Sequence, residues 1–136
     1  MILADVWSAN DQPAKNNARV KCTGTMDMYR SLAPLFGIEE EYALMKPGNV
    51  GVKPSVPWGF NKGGSEPAPG PYYVGACFKV AIGWPVADEH CKKCLRAGET
   101  ISSINAGVMP GRWEFNIGPC RGIETGYHFT LARYIM

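Results

Sequence analysis

The chain has 136 residues, of which 46% are hydrophobic and 19% are charged, a composition typical of one globular domain. A net charge of +2, without a cluster of Lys and Arg, argues against nucleic-acid binding. No apolar run approaches the roughly 20 residues of a membrane span, and the N-terminus lacks the basic segment of a signal peptide. Five cysteines, an odd number, fit reduced thiols. We therefore predict a cytoplasmic protein that binds neither nucleic acid nor membranes.

The first third of the chain predicts a strand, a helix and a second strand. The apolar run at residues 2–7 predicts a strand that ends in a turn. Apolar side chains at helical spacing predict a helix over residues 18–32, and Pro34 ends it. Alternating polar and apolar residues predict the second strand over residues 36–45.

The remainder predicts a long loop, two helices and a hairpin. Residues 46–70 hold five prolines and six glycines, so no regular element is expected there. Pro85 favours the start of a helix that runs through about Leu95. Two strands flank the turn at Pro110, and residues 124–136 have the apolar stripe of a helix.

Successive side chains on a strand point to opposite faces, and this places three glutamates on polar faces. Glu39 and Glu41 share one face of the strand at residues 36–45, whereas Glu40 falls on the apolar face and needs a partner or an exposed edge. After Pro110, the polar face carries Glu114, flanked by Arg112 and Asn116, and the opposite face carries Trp113, Phe115 and Ile117.

Two explanations account for Glu39, Glu41 and Glu114. Clustered carboxylates repel one another unless a cation lies among them, which indicates a hard divalent ion with oxygen ligands. The alternative is a solvated sheet face, because antiparallel sheets often leave one face in water. Periodicity alone favours the solvated face.

The segment from His90 to Cys94 is a second candidate site. Cys91 and Cys94 lie one helical turn apart and could share a zinc ion, but a single C-x-x-C is a weak signal and a structural role is favoured. The glycine-rich segments lack the Gly-Lys-Ser/Thr ending of a phosphate-binding loop, and no nucleophile elbow is present.

Several motifs occur in a specific order along almost the whole chain. They begin at Met1 with Ile-Leu-Ala-Asp-Val and continue as Asn17-Ala-Arg19, Phe36-Gly-Ile-Glu-Glu-Glu-Tyr42, Gly70-Pro-Tyr-Tyr73, Cys94-Leu-Arg-Ala-Gly98, Asn105-Ala-Gly-Val-Met-Pro110, Trp113-Glu-Phe-Asn-Ile-Gly-Pro-Cys120 and Ala132-Arg-Tyr-Ile135. In these motifs the chain resembles type II glutamine synthetase, the eukaryotic form.

The resemblance implies an α+β fold, with an antiparallel sheet from the first half of the catalytic barrel and helices packed on one face. Residues 1–136 would form a single partial catalytic domain, without the N-terminal β-grasp domain or the second half of the barrel. The family ligates ammonia to glutamate with ATP through a γ-glutamyl phosphate, and it uses two Mg2+ or Mn2+ ions held by glutamates.

The resemblance also assigns roles to individual residues. Glu39 would hold the metal ion nearer the ATP, and Glu41 and Glu114 would hold the ion nearer glutamate. The segment after Glu114 would run along the nucleotide, so that the implied cofactor-binding set is Glu39, Glu114, Phe115, Asn116, Ile117, Gly118 and Pro119. No catalytic residue is assigned.

The chain departs from the family pattern at three places. Gly107 stands where the family has a metal-binding glutamate, residues 75–79 replace its Gly-Val-Gly-Ala-Asp, and Tyr127 stands where an aspartate is expected. We therefore expect little or no ligase activity from this chain alone. The alternatives are a non-catalytic component of an oligomer or larger assembly, and a partial gene product without a role in the cell.

Overall fold

A computed structural model describes residues 2–46, 56–61, 63–68, 70, 72–75 and 81–136. It confirms the predicted α+β class, with three α-helices and an open three-stranded antiparallel sheet. In chain order the elements are helix α1 (Ala18–Met28), a 3-10 turn (Arg30–Leu32), strand β1 (Leu35–Ala43), helix α2 (Trp84–Arg96), strands β2 (Ile101–Ala106) and β3 (Arg112–Arg121), and helix α3 (Glu124–Ile135).

The sheet has the order β1-β3-β2, so β3 is the central strand and pairs antiparallel with both neighbours. The turn at Pro110 joins β2 to β3, as its sequence predicts. Strand β1 comes from much earlier in the chain and pairs along nearly the whole of β3, with a bulge between Phe36 and Ile38. The central strand therefore fixes the register of both outer strands.

The core lies on one face of this sheet. Trp113, Phe115 and Ile117 alternate along β3 and are fully buried. Helices α2 and α3 cover Phe115 and Ile117 through Cys94 and Ala132, and Ala87 of α2 packs in the same cluster as Trp113. Burial of each large apolar side chain contributes about 1.5–3 kcal/mol. The expectation that helices pack on a single face is confirmed, and the opposite face of the sheet is left open for polar side chains.

The helix predictions hold closely. The side chain of Asn17 caps α1 by accepting a hydrogen bond from the backbone N–H of Val20 at 3.3 Å, and Pro85 lies in the first turn of α2, where its missing N–H costs nothing. The predicted helix at residues 18–32 divides into α1 and the 3-10 turn. Helix α3 begins at Glu124, as expected.

The predicted strand at residues 2–7 is wrong. This segment forms only an isolated bridge between Trp7 and Pro13, and Ile2 is 93% exposed. The side-chain amide of Asn17 donates a hydrogen bond to the backbone carbonyl of Val6 at 2.9 Å. That carbonyl also accepts from the backbone N–H of Ala14 at 3.1 Å, so its partners lie in the following turn and at the start of α1 rather than in a neighbouring strand.

Parts of the predicted 46–70 loop, namely residues 47–55, 62 and 69, lie outside the described residues. Its described portions contain turns and one isolated bridge, between Met45 and Pro57, but no helix or named strand. Within the ranges given above, no helix is long and apolar enough to cross a membrane.

Candidate functional site: a carboxylate face on the sheet

The open face of the sheet carries a group of polar side chains, here called the carboxylate face. All three strands contribute to it because period-two alternation places every second residue on this side. Its members are Glu39 and Glu41 of β1, Ser103 and Asn105 of β2, and Arg112, Glu114 and Asn116 of β3.

Two of the three predicted carboxylates lie next to each other. Glu41 pairs directly with Glu114 across β1 and β3, and Glu39 pairs with Asn116 one position further along. Like charges directly opposite on neighbouring strands destabilise a sheet. The face therefore requires a compensating positive charge or hydrogen-bond donor close to Glu41 and Glu114.

The protein supplies both from its own side chains. The guanidinium of Arg112 donates to a carboxylate oxygen of Glu41 and forms an ion pair with it. The side-chain amide of Asn105 donates to Oε2 of Glu114 at 3.0 Å. Each of the two facing carboxylates is thus bound to a donor from a residue of the same sheet.

Sequence reasoning placed Arg112 on this face but gave it no role. The available signal was its position two residues before Glu114, which puts both side chains on one side of β3. The missing information was the pairing of β1 with β3, since Arg112 lies opposite Ala43 and reaches Glu41 diagonally.

Gly107 follows β2 and lies beside Arg112. Its backbone N–H donates to the carbonyl of Arg112 at 2.8 Å, and the residue is buried. A Cβ atom built at position 107 would lie 3.1, 3.2 and 3.3 Å from Cγ, Cδ and Cβ of Arg112. A side chain at position 107 would therefore require the aliphatic stem of Arg112 to shift by a few tenths of an ångström.

These residues, as arranged, do not fit a bound divalent cation. Hard cations take six or more oxygen ligands, whereas one oxygen of Glu41 and one of Glu114 already accept hydrogen bonds from Arg112 and Asn105. Across the described ranges, no group of three or more His, Cys, Asp or Glu side chains is placed to hold a metal ion. Metal binding by Glu39, Glu41 and Glu114 stays a prediction.

The predicted nucleotide-binding segment has two distinct sides. The side chains of Phe115 and Ile117 are in the core, so they cannot contact a nucleotide on the carboxylate face. Asn116 lies on that face and donates a hydrogen bond to the hydroxyl of Ser103 at 2.9 Å. Gly118 is buried, whereas Pro119 is exposed.

The C-x-x-C segment is part of the core packing. Cys94 is buried, with its Sγ 3.3 Å from Nε2 of His90, and that nitrogen also lies 2.9 Å from the carbonyl oxygen of Ala132. Burial raises the pKa of the Cys94 thiol to about 11, which disfavours the thiolate that metal binding requires. The contacts of His90 and Cys94 are accounted for by the junction of α2 with α3.

No family model matches the chain, but curated glutamine synthetases are similar to it. It is 40% identical over 137 residues to the glutamine synthetase of Tuber borchii, covering 100% of this chain and 36% of that protein. It is 41% identical over 136 residues to the Homo sapiens protein, covering 100% and 35%. For a cytosolic isozyme of Chlamydomonas reinhardtii the identity is 44% over 128 residues, covering 94% and 32%. The chain spans about a third of the length of these curated relatives.

Proposed function

Because the chain is homologous over its whole length to about a third of glutamine synthetase, we propose that residues 1–136 form part of a glutamine synthetase catalytic domain and do not carry out the ligase reaction alone. The observation that carries this proposal is on the carboxylate face. Glu41 and Glu114 lie opposite each other, but Gly107 offers no third carboxylate and Arg112 binds Glu41.

Phosphoryl transfer requires stabilisation of the charge that spreads over the phosphate oxygens. By homology, the substrates of the complete protein would be ATP, glutamate and ammonia, with Mg2+ or Mn2+. In this chain the carboxylates that would recruit the cation are bound to Arg112 and Asn105. Any nucleotide contact would come from the side chains of Glu39, Glu114, Asn116 and Pro119 and from the backbone between them.

A coupled ADP-release assay with glutamate, ammonia and Mg2+ tests this proposal. Human glutamine synthetase, assayed in the same buffer, is the positive control, and reactions without glutamate or without ammonia correct for ATP hydrolysis. We expect no ADP release above these blanks from the 136-residue chain. ADP release that depends on both substrates would contradict the proposal.

A second candidate function is that of a non-catalytic component in an oligomer or larger assembly. One segment favours it: between the end of α1 and the start of β1, five large apolar side chains are exposed, namely Met28, Tyr29, Leu32, Leu35 and Phe36. Exposed apolar patches mark interaction sites, and β1 is an outer strand of the sheet. The cytosolic isozyme among the relatives supports a cytoplasmic location.

Light scattering combined with sizing chromatography tests the assembly. We expect the chain to form oligomers whose mass increases with concentration, and Leu32→Ser with Leu35→Ser to shift it towards the monomer. Hydrogen exchange on the same samples reports whether β3 stays protected, which separates loss of assembly from unfolding. A wild-type monomer at all concentrations, with protected amides at Trp113 to Ile117, would contradict this second function.

A further inference from the structure

The inference concerns the charge balance of the carboxylate face. Glu41 and Glu114 are directly opposite on β1 and β3, which is unfavourable for two carboxylates. Either a bound cation or a side-chain cation can offset this repulsion.

Arg112 meets the geometric requirements for a side-chain cation. It precedes Glu114 by two residues on β3, so both side chains lie on the same face. Its guanidinium binds Glu41, and its stem lies against Gly107, where even a Cβ would come within 3.1 Å of Cγ. Arg112 therefore packs closely against Gly107 through its stem and binds Glu41 through its guanidinium.

Asn105 completes the arrangement on the other side of β3. Its amide donates to Glu114 at 3.0 Å, so the two facing carboxylates are bound by an arginine and by an amide. Glu39, further along β1, is exposed, and its side chain has no hydrogen bond or ion pair to any residue that the structure describes.

We propose that the Arg112 guanidinium is the resident cation of the carboxylate face and that it prevents Glu41 and Glu114 from binding a divalent metal ion. The inference rests on the proposed function only in identifying this face with a metal-binding face of the family. It predicts that the face is stable without metal and that a cation site is created when Arg112 is removed and a carboxylate is restored at position 107.

The test compares wild type with Arg112→Gln, Arg112→Lys and the double variant Arg112→Gln with Gly107→Glu. Mn2+ alone is the probe, and its binding is measured by the electron paramagnetic resonance signal of free Mn2+. We expect weak binding by wild type and by Arg112→Lys, which keeps the charge. We expect at least about tenfold tighter binding by the double variant, because ligand charge sets cation affinity. Tight stoichiometric binding by wild type, or equal affinities in all four proteins, would overturn the proposal.

Thermal unfolding supplies a second readout that does not depend on the variants binding Mn2+. In EDTA, Arg112→Gln leaves the carboxylate of Glu41 without its ion pair and directly opposite Glu114, so its Tm should fall, and adding Glu41→Gln should raise it again. A merely structural role for the Arg112 stem would give no such rescue. If Arg112→Gln is unfolded in EDTA, recovery of folding by Glu41→Gln is the same test, and its failure would contradict the proposal.

Neither readout measures turnover. Ligase activity of the wild-type chain would therefore contradict the proposed function, whereas the Mn2+ affinities and the Tm rescue judge the role of Arg112.

Discussion

Glu40 of β1 and Arg133 of α3 form an ion pair, with Oε1 of the carboxylate 3.2 Å from Nε of the guanidinium. Glu40 falls on the side of β1 that faces the helices, and sequence reasoning required a partner or an exposed edge for it there. Arg133 is that partner, and its guanidinium also lies 5.5 Å from the ring centroid of Phe129. The contact joins the first strand to the last helix.

Glu40→Gln should lower the free energy of unfolding by about 0.5–1 kcal/mol, since the pair is partly exposed. The side chains of Glu40 and Arg133 are 26% and 60% exposed, which limits the effect. Urea denaturation followed by circular dichroism measures it. Glu39→Gln, on the opposite face of the same strand, is the control and should leave the midpoint unchanged; equal losses in both variants would argue against a specific pair.

Trp113 should be the most sensitive aromatic position. It is fully buried, and its indole N–H donates to the backbone carbonyl of Ile82 at 2.8 Å. Trp113→Phe removes that bond and leaves space in the core, so we expect a loss of about 2–4 kcal/mol. Trp84→Phe, at the partly buried ring that packs against it at 5.6 Å, should cost less in the same denaturation experiment. The reverse order would contradict this packing.

Gly118 should tolerate no side chain. Its φ is +108°, and an added Cβ would lie 2.5 Å from the backbone oxygen of Phe36, so Gly118→Ala should destabilise by about 2 kcal/mol or more. Gly24 in α1 is a matched control, because a Cβ there meets nothing within 4 Å. Gly24→Ala should stabilise by about 0.5–1 kcal/mol. Thermal melts of both variants show whether each substitution raises or lowers the stability. A Gly118→Ala protein as stable as wild type would show that β1 and β3 are further apart at this point.

Stability should fall at alkaline pH. Burial raises the pKa of Cys94 from 9.0 to about 11 and that of Tyr42 from 10.0 to about 12. The folded state therefore holds these protons more tightly than the unfolded chain, so their contribution is complete below pH 9 and is lost as the pH rises through 11 and 12. Urea midpoints between pH 8 and 12 measure the decline.

Two variants test whether Cys94 and Tyr42 cause the loss of stability at alkaline pH. Cys94→Ala and Tyr42→Phe should each flatten the dependence of the midpoint on pH, whatever they do to its absolute value. Cys22→Ala, at an exposed thiol, should leave the slope unchanged. If none of these substitutions alters the slope of the urea midpoint against pH, then other titrating groups cause the loss of stability.

The secondary structure of the second half was predictable because its signals are local. Alternation at Trp113, Phe115 and Ile117 defines a strand with one buried face, and Pro85 with Gly98 brackets a helix. The first strand prediction failed for the opposite reason: residues 2–7 are apolar, but a strand needs a neighbour. Here the backbone carbonyl of Val6 accepts a hydrogen bond from the side-chain amide of Asn17 instead.

The sequence predicted which glutamates lie on the candidate site, but not which side chains contact each other there. Period-two alternation placed Glu39, Glu41 and Glu114 on polar faces, and the structure brings Glu41 and Glu114 opposite each other. The contact between Arg112 and Glu41 depends on a register between strands about 70 residues apart, including a bulge between Phe36 and Ile38. No local pattern specifies that register.

The shared space of Gly107 and Arg112 has an evolutionary consequence. A glutamate gained at position 107 alone would press against the Arg112 stem and meet its guanidinium rather than a metal ion. Loss of Arg112 alone would leave Glu41 opposite Glu114 without its ion pair. If Arg112 is the resident cation as proposed, a metal-binding face would require changes at both positions, and an intermediate that carries only one of them would be less stable or would lack a cation site.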